Sequence, residues 1–371
     1  MNIITQDNPT ATRPGEELDL ATLQTYLSDR VPGFGIITGV AQFPGGYSNL
    51  TYLLKTRNGD SVNREYVLRR PPVGAKDIKG GHDMSREFRV LTMLRDADYR
   101  KIPEPVVFCE DESVMDCPFY VMARVPGVIL RANTAHKQNI PAEIMRRLSE
   151  SLVDNLVELH ALDIQQTNLI QLGKPEGYVQ RQVAGWHKRY LAAQTDDLPA
   201  MTDLARYLTD ALTDSTVPGH NRPTLLHNDF KYDNVVFDPE SLSGSSDRDI
   251  RAVLDWEMCT VGDPLMDVGT SLSYWAEAGD DPFRKTFNLT HLPGNMTRQE
   301  FARRYAERSG RDITNLLYYY VFGLFKNAVV LQQIYGRYQK GLTQDARFAN
   351  LGMGVQVLAR EGAKAIDINK F

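Results

Sequence analysis

The segment HNDFKYDNVVFD, residues 227–238, holds a His, an Asp two residues later and an Asn five beyond that, followed by the apolar run Val235-Val236-Phe237. Composition alone produces H-x-D-x4-N roughly 0.02 times in a chain of this kind. The string is suggestive, and its surroundings decide its meaning. The stretch RAVLDWEMCTVGDPLMDVG, residues 251–269, opens with a short apolar strand that ends in Asp255, 21 residues beyond Asn234. Two polar clusters thus adjoin short apolar strands in one half of the chain.

The first string resembles the catalytic loop of kinase-like phosphotransferases. That resemblance makes Asp229 the carboxylate that accepts the proton of an acceptor hydroxyl, and it puts Asn234 on a Mg²⁺ bridging nucleotide phosphates. Asp255 then reads as a second metal ligand. A Mg²⁺ holding two phosphates prefers near-octahedral oxygen ligands and takes only one or two from protein, so one Asn and one Asp suffice.

Four more stretches complete the pattern: GGYSNLTYLL at 45–54, YVLRRPP at 66–72, SREFRVLTML at 85–94 and FYVMARVPG at 119–127. With them the chain is identified as a member of the aminoglycoside phosphotransferase (APH, choline-kinase-like) enzyme family. It resembles the branch whose kinase domains occur beside acyl-CoA dehydrogenases. The resemblance implies an α+β, two-lobed protein-kinase-like fold, with a five-stranded antiparallel N-lobe sheet, one long helix and a mainly helical C-lobe. It also implies transfer of the γ-phosphate of ATP or GTP to a hydroxyl of a small molecule. The expected division is a nucleotide-binding lobe over residues 1–125 and a catalytic and acceptor-binding lobe over 126–371.

Composition agrees independently. The chain has 371 residues, enough for two lobes of ordinary size, and 42% of them are hydrophobic, as in a globular enzyme. A net charge of −5 supplies no basic field for nucleic acid, so that partner class is not expected. Cys109, Cys117 and Cys259 match no metal spacing and read as reduced thiols of a cytoplasmic protein. The start, MNIITQDNPTATRPGEE, lacks the apolar core of a signal peptide. Leu316–Phe325 is the most apolar stretch, yet it is shorter than the roughly 20 residues a membrane span needs, and Lys326 follows it. It reads as a buried helix, and no membrane partner is expected.

Periodicity gives the elements. Leu20, Leu23 and Leu27 make a short amphipathic helix, followed by three strands in GFGIITGVAQF, NLTYLLKTR and NREYVLRRP. Asn58-Gly59-Asp60 turns the second strand into the third. A helix from about His82 to Asp96 precedes two further strands, VVFCE and FYVMARV. From about residue 140 the pattern is helical except around the two polar clusters.

Several residues acquire nucleotide-binding roles. Gly45 and Gly46 lie between two strands, where bare backbone can approach phosphates, and Ser48 and Asn49 add donors beside them. Arg69 ends the strand where kinases carry a Lys, and its fork can hold a phosphate and a carboxylate at once. Glu87 emerges within the apolar stripe of its helix, beside Met84, Leu91 and Leu94, so it needs a buried partner, and Arg69 is the candidate. In the resemblance, backbone groups of Ala123 and Val125 face the adenine edge.

The acceptor leaves fewer traces. Residues 256–371 contain 12 Asp plus Glu against 14 Lys plus Arg, so the acidic excess that a polycationic aminoglycoside would want is absent. The dehydrogenase-linked branch points instead to a hydroxyacyl compound. An aminoglycoside or macrolide kinase is the alternative of the same chemistry, and a catalytically silent nucleotide-binding module is the alternative of another class. The oligomeric state leaves no trace in the sequence.

Overall fold

β-Branched and aromatic runs in the first 125 residues build one sheet. The computed structural model describes residues 9–43, 49–59, 62–72, 83–132, 140–213, 221–244, 249–286, 288–343 and 345–371. Strands β1 (Ile36–Gln42), β2 (Leu50–Asn58), β3 (Val62–Arg70), β4 (Pro105–Cys109) and β5 (Phe119–Ala123) lie in the order β1-β2-β3-β5-β4. Every neighbouring pair is antiparallel. Helix α1 (Leu20–Arg30), capped by Asp19, buries Leu23 and Leu27 with Phe34, Tyr52, Leu54, Tyr66 and Leu68. Leu20 does not join this stripe and is exposed. Because strand side chains alternate, Arg69 leaves the sheet on the face opposite Leu68.

Helix α2 (Met84–Asp96) starts where Asp83 accepts a hydrogen bond from the Arg86 amide at 3.0 Å. It buries Met84, Glu87, Val90, Leu91 and Leu94, so a carboxylate sits inside an otherwise apolar stripe. A four-residue helix, α3 (Glu112–Met115), fills the connection between β4 and β5.

The chain divides into two compact units. The first comprises Met1–Ile129, Val235–Ser241 and Ser246–Glu257, and the second Leu130–Asn234, Leu242–Ser245 and Met258–Phe371. The late segments of the first unit form a hairpin of β7 (Val235–Phe237) and β8 (Ile250–Val253), with β6 (Thr224–Leu226) preceding it in the second unit. Val128 and Phe237 exchange backbone hydrogen bonds at 2.9 and 2.8 Å. A side chain at Gly127 would collide with Val236 and the Phe237 carbonyl, which explains a glycine at that place.

The second unit is helical: α4 (Ala142–His160), α5 (Tyr178–Ala193), α6 (Pro199–Thr213), α7 (Pro264–Tyr274), α8 (Arg298–Ser309), α9 (Leu316–Gln339) and α10 (Leu351–Ile368). Strand β9 (Thr260–Gly262) pairs with β6. Helices α7 and α9 touch backbone to backbone, since a side chain on Gly269 would strike the Tyr319 carbonyl and one on Gly323 the Gly269 carbonyl. Within Leu316–Phe325 every residue but Leu317 is buried, in a helix as expected. The helix runs on to Gln339, and Lys326 is itself only 5% exposed. Among the described residues no helix is long and apolar enough to cross a membrane. All three cysteines are buried, and none forms a disulfide among the described residues.

Candidate active site

Strand β6 delivers the chain into the loop His227–Asn234. Asn228 adopts the left-handed conformation (φ 64°), which Asn tolerates better than most residues. That turn is held from both sides. Asp263 caps α7, with Pro264 at its first position, and Asp267 in the first turn accepts from the amides of His227 (2.6 Å) and Asn228 (2.8 Å). His160, the last residue of α4, places Nε2 3.2 Å from Asp267 and Nδ1 2.8 Å from the Tyr305 hydroxyl. Burial works to raise the Asp267 carboxyl, but the hydrogen bond from His160 and the field of His227 outweigh it and leave the pKa below its ordinary value. From the opposite direction the Lys326 ammonium donates to the Asn228 carbonyl at 2.6 Å. The Asn228 side chain donates to the Met258 carbonyl at 3.1 Å.

This clamp presents Asp229. Both of its carboxylate oxygens accept from Lys231 Nζ at 2.9 Å, and Asn234 Nδ2 donates to Oδ2 at 2.8 Å and to the Asp229 carbonyl at 2.9 Å. The Lys231 ammonium also lies 4.5 Å from the centre of the Tyr274 ring. His227 takes no metal-like position. Its Nδ1 accepts from the Asp229 amide at 3.2 Å and so helps shape the turn. Burial pushes the Asp229 carboxyl up, while Lys231, Lys326 and the Tyr274 hydroxyl pull it further down, so it stays ionised below the usual carboxylate range.

The first unit assembles a second cluster. Arg69, at the end of β3, pairs with Glu87 of α2 through Nη1, and its fork reaches Asp255 Oδ1 at 3.3 Å. Burial disfavours the Arg69 charge, but Glu87 and Asp255 reverse that effect and raise its pKa well above the ordinary value. Asp255 is in the left-handed region (φ 67°), and the next amide, Trp256, donates to Glu87 Oε1 at 3.3 Å. One buried carboxylate therefore orients both Arg69 and the turn that carries Asp255. Asn49 donates to Glu257 at 3.2 Å. Ala123 donates to the Glu104 carbonyl at 2.8 Å, so what it can offer a ligand is its own carbonyl, and Val125 is half-buried. Gly45, Gly46 and Ser48 lie outside the described residues.

Each unit thus holds part of the expected set: Asn49, Arg69, Glu87, Ala123, Val125 and Asp255 in one, and Asp229 and Asn234 in the other. Lys231, Tyr274 and Lys326 were not expected. Lys231 stands two residues after Asp229 in the deciding string. Lys326 is a lone cation between the apolar runs LLYYYVFGLF and AVVL.

Each unit offers one side-chain oxygen of the kind Mg²⁺ accepts. The Asn234 amide nitrogen is committed to Asp229, which leaves Oδ1 as its acceptor atom, and Asp255 uses Oδ1 for Arg69 while its side chain is 31% exposed. Both free atoms are hard oxygens. Among the described residues no group of three or more His, Cys, Asp or Glu is arranged to hold a metal.

Known proteins resemble this chain over most of its length. The phosphotransferase enzyme family (APH) matches residues 39–302. The chain is 33% identical over 356 residues to acyl-CoA dehydrogenase family member 11 of Rattus norvegicus, covering 94% of this chain and 43% of that protein. It therefore spans less than half the length of that relative. A crystal structure described as a putative aminoglycoside phosphotransferase from Ralstonia eutropha superposes with a TM-score of 0.77 at 28% identity, over 95% of this chain and 99% of the other. Choline kinase from Cryptosporidium parvum shares the fold, with a TM-score of 0.62 at 12% identity over 95% and 97% of the two chains. The chain belongs to the APH phosphotransferase enzyme family: it is a small-molecule kinase with a hydroxyl group as acceptor.

Proposed function

We propose that this enzyme moves the γ-phosphate of ATP or GTP to a hydroxyl of a hydroxyacyl compound. The observation that carries the catalytic part is the ionised Asp229 carboxylate, held by Lys231 and Asn234 on a loop clamped by Asp267. Asp229 aligns the acceptor hydroxyl and receives its proton, while Lys231 offsets negative charge beside it. Arg69, aimed by Glu87, draws the donor's phosphates into line, and Asn49 with Gly45, Gly46 and Ser48 adds donors toward them. The Ala123 carbonyl and the Val125 amide read the base edge. Asn234 and Asp255 supply protein oxygens for Mg²⁺, an assignment that rests on the two motifs, each within its own unit. Bound Mg²⁺ would neutralise charge on the phosphates.

The acceptor class follows from similarity to a protein named for acyl-CoA dehydrogenase, together with the lack of acidic excess in residues 256–371. The test is a screen of hydroxy acids and hydroxyacyl-CoAs for acceptor-dependent ADP or GDP release, with kanamycin and erythromycin in the same plate. Turnover confined to the antibiotics would replace the proposed acceptor. Absence of turnover with every acceptor and both nucleotides would count against the transfer itself.

A further inference from the structure

Lys326 is a buried cation with no carboxylate in direct contact among the described residues. Its Nζ donates to the Asn228 carbonyl at 2.6 Å and lies 5.9 Å from the centre of the Trp186 ring. The charged groups around it come from two packed helices, α7 and α5, and the loop. Asp229 and Asp267 favour its charge, while Lys231 and Arg189 oppose it. Neighbouring Phe325 and Trp186 are buried and apolar, so a Met or Leu would fill the space without the penalty of desolvating an ammonium. Burial dominates and pulls the Lys326 pKa down to about 8, which means that the folded protein keeps this charge at a cost. A group retained at a cost calls for a task beyond packing.

We propose that Lys326 is a positioning residue for the reacting loop: by donating to the Asn228 carbonyl it locks the left-handed peptide that aims the Asp229 carboxylate. The inference rests on the reading of Asp229 given above. It completes the clamp, since Asp267 holds the amides of His227 and Asn228 while Lys326 holds the carbonyl of the same residue. The close crossing at Gly269 and Gly323 brings α7 and α9 near enough for both to reach one turn.

The test is Lys326→Met, which keeps length and apolar volume and removes the donor. Hydrogen–deuterium exchange on the full chain should show faster exchange at residues 227–234, with the rest of α9 protected as in wild type. Mg²⁺-dependent ADP release from ATP without acceptor should fall at least about tenfold, with KM for ATP within about threefold. Melting at pH 7 should stay at the wild-type value or above it. A purely structural lysine would instead lower the melting temperature and leave KM and turnover unchanged, and that result overturns the proposal. Unchanged exchange at 227–234 overturns it as well. If wild type itself shows no nucleotide turnover, the reading of Asp229 fails, while the exchange measurement still decides whether Lys326 clamps the loop.

Discussion

Lys231 sets its ammonium 2.9 Å from each carboxylate oxygen of Asp229, so the expected proton acceptor carries its counter-charge two residues away on the same loop. The pair explains how a half-buried carboxylate remains ionised. Asp229→Asn removes the negative charge but keeps the shape, and should cut phosphoryl transfer by roughly 10² to 10⁴ with nucleotide affinity within a few-fold. Lys231→Met should raise the Asp229 pKa and carry the acid limb of the rate profile to higher pH. Turnover of Asp229→Asn near the wild-type rate would assign the hydroxyl to another group.

Asp255 shares one oxygen with Arg69 and has the exposure to offer the other to a cation. Mg²⁺ with nucleotide should raise the melting temperature of wild type, since a ligand bound only by the folded state stabilises it by mass action. In Asp255→Ala the Mg²⁺-dependent part of that rise should vanish. A full Mg²⁺ response in the variant would withdraw Asp255 from the metal.

How much of this was readable beforehand depended on whether a residue's role is local. Asp229 and Asn234 share a short string, and Glu87 betrayed itself as a carboxylate within an apolar helical stripe. The five strands announced themselves by β-branched and aromatic runs. The second unit was harder. Lys326 lies 59 residues beyond Asp267 in the chain (326 − 267), and the two reach one turn because α7 and α9 cross at glycines. No spacing rule reaches across such a crossing. Lys326 did leave a trace, as a charge between apolar runs, which reads equally well as the end of a buried helix. Leu20 failed in the opposite way, because a leucine at helical spacing can lie just beyond the edge of the packed face.

The Arg69 cluster makes a sharper test than either residue alone. Arg69→Lys keeps the charge but loses the fork that joins Glu87 to Asp255, and should lower turnover at least about tenfold. Glu87→Gln removes the acceptor shared by Arg69 and the Trp256 amide, and should cost a similar factor. Because both changes break one unit, the double variant should lose less than the product of the two single losses. Multiplicative losses in the double-mutant cycle would show that the two residues act independently.

Lys326 also gives stability an unusual pH dependence. Its folded pKa of about 8 lies below the ordinary lysine value of 10.5, so between those two the unfolded chain binds the extra proton. Stability therefore rises with pH across that window, and below it the difference is constant and unfavourable, worth on the order of 3 kcal/mol. Asp267 acts at the other end of the scale. Its folded pKa is depressed, so its contribution is full above the ordinary carboxylate value and is lost as pH falls through the lowered one. Urea unfolding of wild type and Lys326→Met from pH 7 to 10 should give curves that converge as pH rises, with wild type gaining on the variant. A constant difference over that range would mean that Lys326 keeps an ordinary pKa and carries no buried-charge cost, and the physical reason for treating it as more than a packing residue would disappear.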